Sequence, residues 1–164
     1  MTNKKLKNII YTAVFASLAF VAIKFLGIPV GEGYCHLGDA IIYLAGVCLP
    51  FPYASLAGAI GGSLSDLLSP YAVYAVPTFI IKACIAFCFT NKKAKILCLR
   101  NFIAVTTASV ITVTGYGITY TIFYGFAGLI NLYGDLIQVV LSAVIFIAAG
   151  TILDRANLRD KIFK

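Results

Sequence analysis

The residues of this sequence that can do chemistry are few, and they interrupt long apolar stretches. His36, the only histidine, precedes Gly38 and Asp39; Asp66 closes the apolar segments that follow, and Lys82 lies inside the next one. Ionisable groups are costly to bury unless they are paired or hydrogen-bonded, so their presence here requires a structural or functional reason. The chemistry that they offer is hydrogen bonding to, and charge pairing with, a bound solute.

Lys82 is expected to pair with a carboxylate. The segment that ends at Asp66 and the segment that contains Lys82 are consecutive, so their helices are expected to be antiparallel neighbours. A Lys82–Asp66 ion pair follows from this arrangement, and Asp39 is the other candidate partner. Such a pair either holds the fold together or contacts a ligand, and the sequence leaves both interpretations open.

His36 can act as a proton relay, a metal ligand or a hydrogen-bonding loop residue. The five cysteines form no CxxC pair and there is no second histidine, so no metal site is predicted. Hydrogen bonding within a loop and contact with a ligand remain the two alternatives. The sequence also lacks a glycine-rich phosphate loop, so the chain itself is not expected to hydrolyse ATP, and no cofactor is predicted.

An aromatic stripe and a polar pair lie near the end of the sequence. Tyr116, Tyr120 and Tyr124 recur every four residues, which places them on one face of a helix. Such a stripe forms either an aromatic wall for a flat ligand or an interfacial belt. Asp135 and Gln138 lie one turn apart and point the same way. Asp135 stands at a predicted helix start, where an aspartate often serves only as a cap. Gln138 lies inside an apolar run, and this position indicates a binding role.

The composition predicts an integral membrane protein. Of 164 residues, 61% are hydrophobic and 12% are charged, and the mean hydropathy is +0.96. A soluble domain carries about twice that share of charge. The apolar surface is too large for a core of this size to hide, and the length suits one domain over residues 1–164.

Glycines, prolines and charges divide the apolar sequence into six predicted helices, which makes the fold all-α. The second, third and fourth are short for full spans at about 1.5 Å per residue. Short segments at membrane depth are tolerated only where protein or a water-filled cavity covers them, which indicates a solute pocket near the outer face. The predicted ranges are Ile9–Phe25, Gly38–Leu49, Tyr53–Leu68, Thr78–Phe89, Asn101–Tyr124 and Asp135–Leu153.

Basic residues fix the predicted orientation. Eleven of the 13 lie in three clusters that flank apolar segments, which is the pattern of the positive-inside rule and not of a nucleic-acid surface. Both termini and the loop between the fourth and fifth helices are therefore expected in the cytoplasm. The clusters are Lys4, Lys5 and Lys7; Lys92, Lys93, Lys95 and Arg100; and Arg155, Arg159, Lys161 and Lys164.

Small residues follow two helices at helical spacing. In the third helix Ala54, Gly58 and Gly62 form one row, and Ala57, Gly61 and Ser65 form another; packing within the molecule is the favoured interpretation. The first helix carries a smooth face near its cytoplasmic half, which is expected to dock on a partner subunit. Its members are Thr12, Ala13, Ala16, Ser17 and Ala19.

Three motifs together resemble the substrate-binding S components of energy-coupling factor (ECF) transporters. They are GDAIIYLAG, the glycine-rich helix ending in SDLLSPYAVYAVPTFIIK, and TGYGITYTIFYG with GDLIQ. The resemblance is to the riboflavin-type or hydroxymethylpyrimidine/pyridoxine-type branch and covers about residues 7–153. It implies a six-helix protein of the bacterial cell membrane that binds a vitamin or precursor from outside. It also implies a coupling membrane subunit and two ATPase subunits as partners.

The resemblance supports several of the candidate ligand contacts, because Asp39, Lys82, Tyr116 and Gln138 match family positions, whereas His36, Tyr120 and Asp135 are candidates from the residues alone. Two departures qualify the match: LPFP replaces the usual leucine-glycine-proline turn, and Asp135 stands where an asparagine is common, which suggests a different ligand. The smooth face of the first helix also departs from the family pattern of alanines four residues apart, since its nearest matches are Thr12 with Ala16 and Ala13 with Ser17. The residues predicted to contact substrate are His36, Asp39, Lys82, Tyr116, Tyr120, Asp135 and Gln138.

Two other functional classes compete with a transporter subunit. A membrane enzyme would use His36 and Asp39 as acid and base, but no nucleophile, base and orienting group occur together, so no enzyme activity is predicted. A stand-alone membrane carrier or a structural membrane subunit, working without an ATPase module, is the alternative. Tight binding of a small vitamin without ATP distinguishes an S component from a structural subunit.

Overall fold

A computed structural model describes residues 3–30, 33–93, 95–157 and 159. Within these residues the chain forms six α-helices and one two-stranded hairpin, so the predicted all-α helical bundle is confirmed. Lys161 and Lys164 of the last basic cluster lie outside the described residues. The elements are α1 (Asn3–Phe25), β1 (Ile28–Val30), β2 (Gly33–Cys35), α2 (Gly38–Cys48), α3 (Phe51–Leu67), α4 (Ala75–Phe87), α5 (Leu99–Tyr124) and α6 (Leu132–Arg155).

The helix ends differ from the predictions by a few residues. The largest difference lies at α1, which begins at Asn3 and not at Ile9. Apolar content locates a membrane span, but lysine and leucine are also good helix formers, so the helix continues into the basic segment. Helices α1, α5 and α6 are long and apolar enough to cross a membrane, and α2 and α4 are shorter apolar helices.

The first loop contains a hairpin that the sequence analysis missed. Strands β1 and β2 pair antiparallel, with Ile28 opposite Cys35 and Val30 opposite Gly33. Glycine and proline favour irregular structure, but here Pro29 lies within β1 and Gly33 is the first residue of β2. The segment between the fifth and sixth predicted helices likewise holds regular structure. It contains a 3-10 helix, Phe126–Asn131, which follows Gly125 with its positive φ of 67°.

Helix α3 packs on two neighbours through its two small-residue rows. A Cβ added at Gly61 would lie 2.6 Å from the carbonyl oxygen of Ala16 in α1, and one at Gly62 would lie 2.9 Å from Cγ of Lys82 in α4. Only glycine permits such close approach of one helix to the backbone of another. The interpretation of these rows as packing within the molecule is therefore confirmed.

The residues of the smooth face of α1 do not form one exposed surface. Ala16 and Ala19 are buried, with 9% and 1% of their surface exposed, and both lie against Gly61 of α3. Ala13 and Ser17 are exposed, and Thr12 is half-buried. Alanine spacing alone does not tell which partner a helix face meets, so inward and outward residues were grouped together.

The loop between α4 and α5 is fixed against the end of α6. The Asp154 carboxylate accepts hydrogen bonds from the backbone N–H groups of Ile96 at 2.8 Å and Leu97 at 2.9 Å. Asn101 donates to the Ile96 carbonyl at 2.9 Å, and Arg159 donates to the Lys93 carbonyl. We call this end of the bundle, where α1 begins and α6 ends, the basic end; the opposite end, with β1 and β2, is the hairpin end.

Candidate solute-binding site

A small cavity lies at the hairpin end, between the hairpin and helices α3 to α6. Its volume is about 20 Å³, which is room for about one water molecule. Side chains from five segments of the chain converge on it, which is the arrangement of a polar solute site. The lining residues are Tyr34, His36, Asp66, Tyr74, Thr78, Tyr116, Tyr120, Asp135 and Gln138.

Beneath this lining lies a buried ion pair between Lys82 and Asp39. The Lys82 Nζ and Asp39 Oδ1 atoms are 2.5 Å apart, and both side chains have no exposed surface. The favoured prediction of a Lys82–Asp66 pair is therefore wrong, and the alternative partner is correct. The reason is that α2 and α4 pack together below the cavity, whereas the Asp66 carboxylate faces the hairpin and accepts a hydrogen bond from Tyr34.

Gln138 connects three segments around the ion pair. Its Nε2 atom donates to Asp39 Oδ2 at 3.0 Å, and its Oε1 atom accepts from the backbone N–H of His36 at 3.3 Å. Both ends of the amide are therefore used, as a side chain that is only 1% exposed requires. Gln138 thus joins α6 to α2 and to the residue that follows the hairpin.

His36 is buried and hydrogen-bonded within its own loop. Its Nδ1 atom accepts from the backbone N–H of Gly38 at 3.3 Å, and its ring lies 5.2 Å from that of Tyr34. Burial, and then the nearby positive charge of Lys82, lower the pKa of His36 to about 3, so the ring is neutral at neutral pH. No cluster of three metal-ligating side chains occurs among the described residues.

Two of the three striped tyrosines wall the cavity. The rings of Tyr116 and Tyr120 are 6.2 Å apart and inclined by 27°, and Lys82 Nζ lies 5.1 Å from the centre of the Tyr116 ring. This contact is within the range of a cation–π interaction. Tyr124 lies outside the cavity with 40% of its surface exposed, and its hydroxyl is 3.2 Å from that of Tyr74.

Three lining residues were missed by the sequence analysis: Tyr34, Tyr74 and Thr78. Tyr34 stacks on Tyr71, with ring centres 4.6 Å apart, and its hydroxyl donates to Asp66. Burial and the adjacent Asp66 carboxylate raise the pKa of Tyr34, which keeps this donor protonated. The signal for Tyr34 was its place in the same short polar stretch as His36.

A second cavity of about 240 Å³ lies beside the first, and Tyr34 lines both. Its other walls come from the end of α1, the hairpin and the loop after α3. Tyr34 therefore contributes to the walls of both spaces. The remaining residues of this second cavity are Ile23, Lys24, Gly27, Pro29, Ser65, Ser69, Pro70 and Tyr71.

Two carboxylates reach the first cavity with unused hydrogen-bonding capacity. Among the described residues, Asp66 Oδ2 and Asp135 Oδ2 are buried atoms without a hydrogen-bond partner. Asp66 is held by Tyr34, and Asp135 lies against the hydroxyl of Tyr120. Buried polar atoms are normally satisfied, so two such oxygens at one cavity indicate a place where a ligand completes the bonding.

The family model of the S component of the ECF-type riboflavin transporter matches residues 3–155. The chain belongs to this family. ECF S components are substrate-binding subunits of membrane transporters and not enzymes, and they associate with the components of an ECF module. No curated protein sequence matches the chain significantly. For this S component, the cavity at the hairpin end is the candidate substrate site.

Proposed function

We propose that this S component captures a small heterocyclic solute of the B-vitamin type from outside a bacterial cell. The observation that carries the proposal is the enclosed polar cavity walled by Tyr116 and Tyr120 in a chain of this family. Aromatic faces suit a flat ring, and a few fixed polar groups determine its orientation. The candidate contacts that line the cavity are His36, Tyr116, Tyr120, Asp135 and Gln138, with Tyr34 and Asp66 added from the structure; the predicted contacts Asp39 and Lys82 lie beneath this lining as a buried pair.

Binding a heterocycle requires more space than the cavity offers. Ligand pockets usually measure about 300–1,000 Å³, far above the 20 Å³ of the first cavity. Displacement of the Tyr34 ring joins this space to the neighbouring 240 Å³. We therefore place solute entry under the hairpin, with Tyr34 moving away from Asp66 as the ring enters.

The hairpin end faces outward in this proposal, and the basic end faces the cytoplasm of a multi-pass protein in the plasma membrane. Lysines and arginines are concentrated on the cytoplasmic side of membrane proteins. Eleven of the 13 basic residues belong to the three clusters assigned to that side. The site therefore collects its solute from the external medium.

Energy for uptake comes from partner subunits. We propose that α1 docks on a coupling membrane subunit through its exposed small residues, Ala13 and Ser17, and that two ATPase subunits drive that partner. Ala16 and Ala19 are excluded from this surface because they pack on α3. A coupling subunit that moves the S component carries the site to the cytoplasmic side.

Native mass spectrometry of protein purified from rich medium, without ATP, tests the binding function. We expect a bound heterocycle of vitamin size, which a Tyr116→Ala variant retains poorly because it lacks one wall of the cavity. Protein that retains no solute, and binds none from a panel of B vitamins, would contradict the proposal.

Reconstitution into vesicles distinguishes the alternative of a stand-alone carrier. The isolated protein is expected to bind its solute without transporting it. Uptake is expected only when the coupling subunit and the two ATPase subunits are added together with ATP. Uptake by the isolated protein, at the rate of the full assembly, would favour the stand-alone carrier.

A further inference from the structure

The charge balance of the cavity points to the kind of solute that it accepts. A salt bridge joins Lys82 to Asp39, so these two charges cancel each other. Asp66 and Asp135 line the same cavity without a cationic partner among the described residues. When all four groups are ionised, two negative charges remain uncompensated beside the cavity.

The two uncompensated carboxylates approach the cavity from different sides. Asp66 lies at the end of α3, which packs mainly on α1 and α4; Asp135 lies in the first turn of α6, which packs on α2 and α5. Their side chains are 2% and 5% exposed. A solute between them therefore meets a hydrogen-bond acceptor at each of two edges.

The donors around the cavity are largely engaged with protein groups. Gln138 Nε2 donates to Asp39, Lys82 Nζ is paired with Asp39, and the Tyr34 hydroxyl donates to Asp66. Among the described buried atoms that line the cavity, those without a partner are the acceptors Asp66 Oδ2 and Asp135 Oδ2. The neutral His36 ring, whose Nδ1 accepts from Gly38, carries its proton on Nε2 as a donor. Each buried carboxylate oxygen left without a partner is costly, and a donor on the solute relieves that cost.

We infer that this site selects a solute that presents hydrogen-bond donors, as amino, amide or hydroxyl groups, on two edges of its ring, and that it rejects anions. A positive charge on the solute adds to its affinity, because it compensates the two carboxylates. While Asp66 and Asp135 are ionised, a carboxylate or phosphate on the solute meets like charge in a poorly solvated cavity, where repulsion is strong. The inference rests on the proposed binding function and names the chemical class of its solute.

Matched pairs of probes test this selectivity in the purified, full-length protein. Three pairs share a ring and differ in charge: riboflavin with its monophosphate, nicotinamide with nicotinate, and pyridoxamine with pyridoxate. Affinity is measured by titration calorimetry in detergent. For every ring that binds, we expect the uncharged or cationic member to bind at least tenfold more tightly than the anionic member.

Asp66→Asn and Asp135→Asn assign the selectivity to the two carboxylates. Asparagine keeps the size of the side chain and one oxygen acceptor, but it removes the negative charge and supplies a donor. In each variant, the ratio of the affinities of the two members of a pair is expected to fall at least threefold. Asp154→Asn, the same change at the basic end, is the control and is expected to leave the ratio unchanged.

The outcomes separate this inference from the function on which it rests. If a pair binds with equal affinity, or if neither Asp66→Asn nor Asp135→Asn changes the ratio, the inference is wrong and the binding function stands. If no member of any pair binds and no other B vitamin does, the proposed function fails and the inference fails with it.

Discussion

At the scale of single residues, Gln138 is the side chain that links α6 to both α2 and the loop after the hairpin. It contacts the carboxylate of Asp39 and the backbone of His36, and Asp39 in turn holds Lys82. A buried ion pair requires such additional hydrogen bonds because its mutual attraction does not by itself repay the loss of hydration. The position of the loop that carries His36 therefore depends on an amide in α6.

Gln138→Leu is expected to weaken solute binding by at least about 1–3 kcal/mol, which is the cost of leaving a buried polar partner unsatisfied. The reason is that both Asp39 Oδ2 and the His36 N–H lose their partner. Titration calorimetry with the solute recovered from the purified protein measures the change. Leu136→Ala, at a position on α6 that is 53% exposed, is the control and should bind normally. Unchanged affinity in Gln138→Leu would place the site elsewhere.

The stability of the hairpin end depends on pH because His36 is buried in its neutral form. Its pKa falls from the ordinary 6.5 to about 3 in the folded protein, so between these values the unfolded chain binds more protons. Its stabilising contribution is therefore complete above pH 6.5 and decreases as the pH falls. Between pH 6.5 and pH 5 the loss is about 2 kcal/mol, at about 1.4 kcal/mol per pH unit.

Thermal melting at pH 7.5 and pH 5 measures this effect in the wild-type protein and in His36→Asn. Asparagine can accept the Gly38 hydrogen bond through its oxygen but does not titrate. We expect the variant to lose less stability on acidification than the wild type. An equal loss in both proteins would show that His36 does not account for the acid sensitivity.

At the scale of the elements, α1 has an inward row and an outward row of small residues, and the two rows predict different defects. Ala16→Leu adds bulk against Gly61 of α3, where overpacking costs about 1–3 kcal/mol, so it should lower stability. Ser17→Leu adds bulk at an exposed position and should leave stability and solute binding unchanged. It is expected to reduce uptake and co-purification with the coupling subunit.

Cells that express each α1 variant with the ATPase module provide the measurement. Solute binding and melting temperature are determined on the isolated proteins, and uptake is determined in the cells. Normal uptake by Ser17→Leu would show that the outward row does not couple. Weaker binding by this variant would show instead that Ser17 supports the fold.

The sequence allowed the helices, their order and the packing rows of α3 to be predicted, because each depends on residue types at local spacing. The partner of Lys82 did not follow from the sequence. Asp39 and Asp66 both belong to apolar segments, and both lie near the same end of the bundle. Only the direction of α2 relative to α4 decides between them. Tyr34 was missed because its role depends on the hairpin, whose three-residue strands leave almost no periodic signal.

At the scale of the whole molecule, the orientation of the bundle predicts which positions reagents reach from outside the cell. Ile28→Cys in β1 is expected to react with a membrane-impermeant maleimide in intact cells, since Ile28 is 69% exposed at the hairpin end. Lys92→Cys, at an exposed position of the basic end, should react only after the membrane is permeabilised. Both are made in a background without the five native cysteines.

The native cysteines are poor reporters for this measurement. Cys35 lies at the hairpin end but is buried, with 7% of its surface exposed, so weak labelling there reflects packing and not orientation. The pattern that contradicts the predicted topology is labelling of Lys92→Cys in intact cells with protection of Ile28→Cys.

The pairing of Lys82 with Asp39 also affects the electrical work of transport. A charge that crosses the membrane potential gains or loses about 2.3 kcal/mol per 100 mV, so a site that travels inward carries this term for its net charge. The Lys82–Asp39 pair contributes nothing to it, but Asp66 and Asp135, when ionised, oppose inward movement in a cell with a negative interior. A cationic solute cancels part of that opposition. In the proposed transport cycle, the site loaded with a cationic solute therefore crosses the field at lower cost than the empty site, so the membrane voltage favours uptake over inward movement of the empty site.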